Sequence, residues 1–477
     1  MPTLYRPSLL FAGGKFHSGS GLLAGDDGRI LAIAPNAESA SVVDLPGKAL
    51  LPGFINAHSH SFQRLIRGKS ESRVTSGKDF WSWRGTMYHA AAQLTPRQAH
   101  DVARMAFLEM ALAGTTTVGE FHYLHTDPAG RPYDDPNHLA KLVIAAARSV
   151  GIRIVLLRAA YFRSGYQLSR DPGQTRFFES LPDYLRNTAL LKSAFPASVE
   201  IAIGVAPHSI RAVPLNDLRE IAAFARSAAV PLHMHVSEQT AENEASVREY
   251  GTTPVTLLAN AHLLGPHWTA IHATHITADE MEQLAEAGMT ICACPTTERN
   301  LGDGIFCADR VMEHGIPVAL GSDSQAQIDP LEDARQLDYH LRLKCRQRAI
   351  LDQIPNAQIP NVRIPNTGQA QPLAQRLFAC ATANGARSLA VQAGDLAIGS
   401  LADFFTVDLR DPSIAGHSAA DLLPLIVFGL NRTAIRDVAV GGQLVVRDGR
   451  HPLQNEIIAR YAEIHAAVWR DVPGSSA

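Results

Sequence analysis

His58 and His60 stand at the end of an apolar run, residues 51–57, and are separated by one residue. Alternate residues of an extended strand point to the same side, so the two imidazoles should converge. Imidazole nitrogens are common ligands of divalent transition metals. The spacing therefore predicts that this strand end contributes two ligands to a metal site.

Two more groups of this kind end later apolar runs. His235 lies in H-M-H-V-S-E at the end of the run 230–236, and Asp323 lies in L-G-S-D-S after the run 317–321. Three imidazoles and one carboxylate suit a divalent ion, zinc first, with a coordination position left for water. Such an ion lowers the pKa of bound water from about 15.7 toward 7, which predicts a hydrolase. The predicted ligands are His58, His60, His235 and Asp323.

Proton transfer has candidates beside this group. His272, in I-H-A-T-H, and Asp323 are placed to accept the proton of the attacking water. Glu238 follows His235 closely, where a carboxyl that does not bind the metal can deliver a proton to a leaving nitrogen. The alternative role for Glu238 is a carboxylate that stabilises the N-terminus of the next helix. We favour catalysis because H-V-S-E brings this carboxyl beside a metal ligand.

A second metal ion would need a bridging carboxylate or a carbamylated lysine near the third or fourth strand end. Residues 153–211 contain one lysine, Lys192, which lies in a predicted helix. The sequence therefore predicts one ion per chain. Iron and manganese accept the same ligands as zinc, so the ligand set alone does not identify the metal.

Eight short apolar runs rich in β-branched residues alternate with segments of helical period through the middle of the chain. This pattern predicts a closed parallel (β/α)8 barrel of the TIM type, in which chemical groups lie at the carboxyl ends of the strands. The alternative, an open doubly wound sheet, lacks a G-x-G-x-x-G sequence after its first strand. The runs are 51–57, 116–121, 152–158, 199–206, 230–236, 269–273, 289–293 and 317–321.

Short strands with Gly-Gly and Asp-Gly turns occupy both ends of the chain. Neither set could bury a core alone, so we expect one small β-sandwich built from both termini. The predicted division is an N-terminal sandwich part (1–51), the barrel (52–390), a C-terminal sandwich part (391–452) and a helix or tail (453–477). Residues 356–371, rich in Pro, Asn and Gln, are interpreted as a surface insertion.

The composition limits the classes of partner that the chain is expected to bind. The formal net charge of −3, from 43 Lys and Arg against 46 Asp and Glu, gives no electrostatic case for nucleic acid or an acidic membrane. Five cysteines imply no disulfide framework. No signal peptide or membrane span is recognisable, so we expect a cytoplasmic protein.

The ordered set H-x-H, H-x-x-E, H and S-D, with L-P-G-F-I-N-A-H-S-H near its start, resembles the amidohydrolase superfamily in its mononuclear deaminase and chlorohydrolase branch. Within that branch the chain is most similar to the formimidoylglutamate deiminases of histidine degradation. The segments that carry this likeness are HSHSFQR (58–64), FWSWR (80–84), GEFHYLH (119–125), APHSIRAV (206–213), HVSEQ (235–239) and CPTTERNLGDG (294–304).

The resemblance implies that N-formimino-L-glutamate is hydrolysed to N-formyl-L-glutamate and ammonia. It implies zinc at the four predicted ligands and catalytic roles for Glu238, His272 and Asp323. It also implies substrate contacts, which are Gln63, Tyr123, His208 and Arg211, with Arg84 as a further candidate.

A small dicarboxylate substrate needs anchors away from the metal, and the planar fork of arginine matches a carboxylate. Arg211 follows the fourth strand closely, whereas Arg84 lies in a long segment with Trp81 and Trp83. The alternative for Arg84 is a surface residue packed on those indole rings. Because the segment is long enough to reach a neighbouring subunit, a homodimer with Arg84 acting in either chain is expected.

Three other functions fit part of the pattern. A purine or pterin deaminase would need aromatic walls and amide groups around its ring, and Arg211 and Tyr123 disfavour it. A halo-triazine hydrolase would release chloride from a similar metal site. A non-catalytic barrel that only binds a ligand would typically have lost metal ligands, and none of the four is missing.

Overall fold

The computed structural model describes residues 1–36, 40–71, 80–168, 170–352, 354 and 372–470, with backbone only for residues 80–82. The predicted insertion at 356–371 lies outside the described residues, and so does the side chain of Trp81.

Strands from both ends of the chain form one mixed sheet of eight strands, in the order β16-β15-β14-β5-β1-β3-β4 with β2 paired to β1. The sheet has its own apolar core, which includes Leu22, Leu50 and Phe404. The predicted small β unit built from both termini is thereby confirmed. Its strands are β1 Thr3–Ala12, β2 Lys15–Ser18, β3 Gly21–Ala24, β4 Ile30–Ala34, β5 Ser41–Pro52, β14 Phe404–Asp408, β15 Ile435–Val440 and β16 Gln443–Val446.

A second sheet of eight parallel strands forms the barrel, in sequential order from β6 to β13. Each of the eight runs predicted as a strand contributes one of them, so the (β/α)8 prediction is confirmed. The barrel strands are β6 Phe54–Ser59, β7 Thr115–His122, β8 Arg153–Ala160, β9 Ile201–Pro207, β10 Leu232–Val236, β11 Trp268–His272, β12 Thr290–Ala293 and β13 Val318–Leu320.

The barrel closes between its first and last strands at a parallel bridge that pairs Ser59 with Asp323. The amide of His60 donates to the carbonyl of Asp323 over 3.0 Å, and the amide of Asp323 donates to the carbonyl of His58 over 3.0 Å. The residues that close the barrel thus include three of the four predicted metal ligands.

Helices surround the barrel, and two of them begin at capping residues whose side chains bind the first backbone amides of the helix. Thr95 and Thr277 each form a capping box with the residue three positions on, Gln98 and Glu280. The helices are α1 Phe80–Gln93, α2 Pro96–Leu112, α3 His138–Val150, α4 Leu181–Ala194, α5 Leu215–Ala228, α6 Thr240–Tyr250, α7 Pro254–Asn260, α8 Ala278–Glu286, α9 Pro295–Leu301, α10 Ala308–Glu313, α11 Pro330–Cys345, α12 Leu373–Cys380, α13 Ala383–Leu389, α14 Leu422–Gly429 and α15 Gln454–Val468. Within the described part of the chain, none of the helices is both long and apolar enough to cross a membrane.

A buried ion pair joins the barrel to the terminal sheet. Arg153, the first residue of β8, donates from Nε and Nη2 to the two carboxylate oxygens of Asp403, over 2.8 and 3.0 Å. The amide of Gly441 donates to the same carboxylate. Because both side chains are buried, loss of one partner leaves the other charge without compensation.

We predict that Asp403→Asn lowers the free energy of unfolding by about 3–5 kcal/mol, because Arg153 then stays buried without its carboxylate. Urea denaturation measures this. The matched control is Asp44→Asn, which removes the exposed pair of Arg6 and Asp44 and should leave stability unchanged. An equal effect of the two substitutions would contradict the role of the buried pair.

Candidate metal centre

The four predicted metal ligands come together at the carboxyl end of the barrel. His58 belongs to β6 and His60 follows it, His235 lies in β10, and Asp323 follows β13. All four are buried, and their ligand atoms lie within 4.8 Å of one another. Both Nε2 atoms of His58 and His60 lie 3.3 Å from Oδ1 of Asp323, and Nε2 of His235 lies 3.2 Å from Nε2 of His58.

Hydrogen bonds on the far side of two rings fix which nitrogen faces the centre. Nδ1 of His60 donates to the carbonyl of Phe121, and Nδ1 of His235 donates to that of His208, each over 2.9 Å. A carbonyl only accepts, so Nδ1 carries the proton and Nε2 presents a lone pair. Two lone pairs and a carboxylate converging in a buried space fit a divalent cation.

The ionisation states agree with this assignment. Burial lowers the pKa of His58 to about 3 and lowers the pKa of His60 and of His235 as well, which favours neutral imidazoles. Burial alone would raise the pKa of Asp323, but the hydrogen bond with His58 and the surrounding imidazoles hold it below its usual value. A neutral imidazole and an ionised carboxylate are the forms that bind metals.

His272 lies beside this group and links it to Glu238. Its Nε2 is 3.6 Å from Oε1 of Glu238 and 3.7 Å from Oδ2 of Asp323, while its Nδ1 is 3.2 Å from Oε1 of Glu298. Burial alone would lower the pKa of His272, but the three carboxylates raise it well above its ordinary value. Burial also raises the pKa of Glu238, which favours a carboxyl able to carry a proton. The three predicted proton-transfer residues are therefore neighbours.

Strained backbone occurs at the same place. His272 and Asp323 have φ of 67° and 45°, in the left-handed region that non-glycine residues rarely adopt. Such conformations cost about 1–3 kcal/mol each and persist where the surroundings fix them. Here main-chain hydrogen bonds to β6 hold Asp323, and a hydrogen bond to the buried carboxylate of Glu298 holds the ring of His272.

The predicted substrate-binding residues line one small cavity of about 40 Å³ next to the metal group. Arg84 lines this cavity from its own chain. Residues that the sequence did not single out for this role, Trp83, Met87 and Leu301, add apolar wall. The lining comprises His60, Gln63, Trp83, Arg84, Met87, Tyr123, His208, Arg211, His235, Glu238, His272, Leu301 and Asp323.

Polar contacts orient the predicted substrate-binding side chains. Nε2 of Gln63 donates to the hydroxyl of Tyr123 over 2.6 Å, and the ring of His208 packs 4.6 Å from that of His235. Arg211 also lines a second cavity of about 420 Å³, together with Glu242. Arg211 therefore borders both cavities.

Two buried carboxylates around the centre were missed by sequence reasoning. Glu298, after β12, accepts from Nδ1 of His272 and from the amide of Cys294 over 3.2 and 2.8 Å. Glu120, in β7, accepts from the hydroxyls of Ser59 and Ser61, each over 2.6 Å. Burial raises the pKa of Glu120 to about 7. Both lie within segments that carried the family resemblance, and Glu120 lies near the carboxyl end of β7, where the strand-end rule directs attention.

Cys294 lies close enough to His272 and Glu298 for the three to form a second potential ligand group. The hydrogen bonds within this group already use Nδ1 of His272 and one oxygen of Glu298. Burial raises the pKa of the Cys294 thiol well above its ordinary value, which disfavours the thiolate that a metal needs.

We predict about one divalent ion per chain in purified protein, because one group of lone pairs and a carboxylate converges. Elemental analysis measures the metal content. His235→Ala should lose most of the bound metal, whereas His314→Ala, a surface histidine that hydrogen-bonds the carbonyl of Arg310, should retain it. Two tightly bound ions, or full metal content in His235→Ala, would refute the assignment.

Comparison with known proteins identifies the family. The sequence profile of the amidohydrolase family matches residues 49–445. A formimidoylglutamate deiminase from Pseudomonas aeruginosa is 35% identical over 427 residues, which cover 89% of this chain and 90% of that protein. The crystal structure of an amidohydrolase from Brucella melitensis is 30% identical, with a TM-score of 0.85, and the match covers 98% of this chain and 99% of that one.

An adenosine deaminase from Xanthomonas campestris, crystallised with bound zinc, has the same fold with a TM-score of 0.80 at 20% identity, covering 98% of each chain. The barrel, the buried group of three histidines and an aspartate at its carboxyl end, and the match over residues 49–445 lead to one conclusion. The chain belongs to the amidohydrolase family.

Proposed function

We propose that this chain is a zinc-dependent formimidoylglutamate deiminase that hydrolyses N-formimino-L-glutamate to N-formyl-L-glutamate and ammonia in histidine degradation. One observation carries the proposal. Two buried arginines, Arg84 and Arg211, line the same cavity as the predicted metal group and Glu238. The named activity of the relative that is 35% identical over most of both chains supports the same substrate.

The charges of the cavity match those of the substrate. Formiminoglutamate carries a protonatable amidine on its α-nitrogen, one carboxylate on the same α-carbon and a second carboxylate at the end of its side chain. Burial alone would lower the pKa of Arg211, but Tyr161 and Glu242 raise it, so the guanidinium stays cationic. Guanidinium forks bind carboxylates with two parallel hydrogen bonds. The arginines would hold the carboxylates while the amidine faces Glu238 and Asp323.

A zinc ion held by the three histidines and Asp323 would activate water and polarise the amidine carbon. Nε2 of His272 and the carboxylate of Asp323, 3.7 Å apart, would hold the proton that leaves the attacking water. As the new C–O bond forms at the amidine carbon, Glu238 would protonate the imino nitrogen. Glu238 would then regain the proton that His272 holds, since Nε2 of His272 lies 3.6 Å from Oε1 of Glu238, and would pass it to the same nitrogen. The C–N bond would break as the hydroxyl of the adduct gives its proton to Asp323, so that ammonia leaves and the formyl C=O remains. Delivery of this proton is needed because an amide ion cannot leave at neutral pH.

The aromatic-ring deaminases remain the competing class within this fold. A neutral purine offers no anionic group to the guanidinium groups of Arg84 and Arg211, whereas each carboxylate of a dicarboxylate can accept two hydrogen bonds from one guanidinium. The two arginines therefore favour an acidic substrate.

We expect the metal-loaded protein to release ammonia from N-formimino-L-glutamate with a higher kcat/KM than from N-formimino-L-aspartate, adenosine or guanine. The longer dicarboxylate should place its amidine at the metal while both carboxylates reach the arginines. A coupled ammonia assay measures all four substrates under one condition. Activity on guanine or adenosine alone would overturn the proposal.

We expect Glu238→Gln to retain its metal and to lose at least about 10²-fold in kcat, because the amide cannot deliver the proton. Ammonia release and elemental analysis measure the two properties on the same sample. The control is Glu244→Gln, an exposed carboxyl on α6, which should be as active as the unmodified chain. Near-normal turnover of Glu238→Gln would exclude the role.

A further inference from the structure

The two arginines of the cavity contact one tyrosine that the predicted site did not contain. Nη2 of Arg84 donates to the hydroxyl oxygen of Tyr161 over 3.3 Å, and Nη1 of Arg211 donates to the same oxygen over 3.4 Å. Tyr161 directly follows β8, Arg84 belongs to α1, and Arg211 follows β9. One phenol oxygen thus connects two cations that come from different parts of the chain.

Packing holds this phenol in place. The ring of Tyr161 lies 4.7 Å from that of His208 in an edge-on arrangement, and 5.7 Å from the rings of both Phe177 and Phe178. The side chain is 2% exposed, so its rotamer has little freedom. A fixed acceptor between two long, flexible side chains would limit the positions that both guanidinium groups adopt.

The chemistry of the phenol suits this task. Two guanidinium groups near one point repel each other, and the repulsion is strong where water is excluded. A carboxylate between them would relieve the repulsion but would also cancel charge that the substrate needs. A neutral phenol oxygen has two lone pairs and accepts from both cations without cancelling either charge.

Tyr88 provides an internal comparison. It lies one turn from Arg84 on α1, and its hydroxyl accepts from Nη2 of Arg84 and from Nε2 of Gln174. The hydroxyl of Tyr88 thus accepts from Arg84 and from a glutamine, whereas the hydroxyl oxygen of Tyr161 accepts from both arginines.

We propose that Tyr161 is a positioning residue that holds Arg84 and Arg211 together as one dicarboxylate-binding pair. This inference rests on the proposed function, because it takes the two arginines as the carboxylate anchors. Tyr161 itself does not line the cavity beside the metal group, so it acts through the guanidinium groups.

The test uses binding of N-acetyl-L-glutamate, which carries both carboxylates, and of N-acetyl-L-glutamine, which lacks the second. Calorimetric titration of the metal-loaded protein gives both dissociation constants. We expect Tyr161→Phe to raise the dissociation constant of N-acetyl-L-glutamate by about tenfold or more, which is the scale of one hydrogen bond to a charged group. The dissociation constant of N-acetyl-L-glutamine divided by that of N-acetyl-L-glutamate, here called the affinity ratio, should fall toward one. With formiminoglutamate, KM should rise more than kcat falls.

Tyr184→Phe is the matched control, because it removes a buried hydroxyl that donates to the carbonyl of Arg158 away from the cavity. Tyr184→Phe should leave the affinity ratio unchanged. General damage to the barrel would also leave the ratio unchanged, because it would weaken the binding of both ligands equally. Tyr88→Phe should reduce the ratio less than Tyr161→Phe. An unchanged ratio in Tyr161→Phe overturns the inference, and so does an equal loss of affinity for both ligands.

A double-mutant cycle gives a second measurement if Tyr161→Phe folds poorly. Tyr161→His with Arg84→Lys, and then with Arg211→Lys, should show non-additive losses in N-acetyl-L-glutamate affinity for both arginines. Additive losses overturn the inference. Binding and turnover separate the two hypotheses. Tight dicarboxylate binding without ammonia release would reject the proposed reaction alone, whereas turnover with an unchanged affinity ratio would reject the role of Tyr161 alone.

Discussion

Two main-chain hydrogen bonds of Asp323 join the last strand of the barrel to the first, at His58 and His60. The side chain of the same residue lies 3.3 Å from Nε2 of each of these histidines. Closure of the barrel and assembly of the metal group are therefore one structural event. A shift in register between β6 and β13 would move ligands from both strands at once. The positive φ of Asp323 lets its backbone pair with β6 while its carboxylate points at the imidazoles.

The groups of the centre differ in charge from one part to the next. Neutral imidazoles and ionised Asp323 form the metal group, the carboxyl of Glu238 and the imidazole of His272 lie next to it, and two arginines line the same cavity. Burial makes each of these charges costly unless a partner is present. An amidine with two carboxylates offers a complementary group to each part. This correspondence, more than the size of the cavity, favours an acidic amidine as substrate.

Strand ends were predictable because the pattern of short apolar runs marks all eight barrel strands, and functional groups of barrels gather where such strands stop. This rule located His58, His235, His272 and Asp323 without further information. The hydrogen-bonding roles of Glu298 and Tyr161 were not predictable, although each also follows a barrel strand. A carboxylate or phenol at a strand end has many alternative contacts, and only the folded arrangement shows which is made. Arg84 was ambiguous for a related reason, since sequence alone does not tell whether a long segment reaches its own barrel or a neighbour's.

The residues behind the centre differ in charge according to what they support. His272 has the carboxylate of Glu298 at Nδ1, and a negative partner there stabilises the protonated imidazole that forms when a proton is accepted. Arg84 and Arg211 instead share the neutral oxygen of Tyr161. A carboxylate at that position would hold the arginines more strongly, but it would compete with the substrate for the same N–H groups. Support by a neutral acceptor keeps both guanidinium groups aligned and leaves their charge for the ligand. A carboxylate, Glu298, therefore supports the imidazole that must gain a proton. A phenol, Tyr161, supports the arginines that must bind an anion.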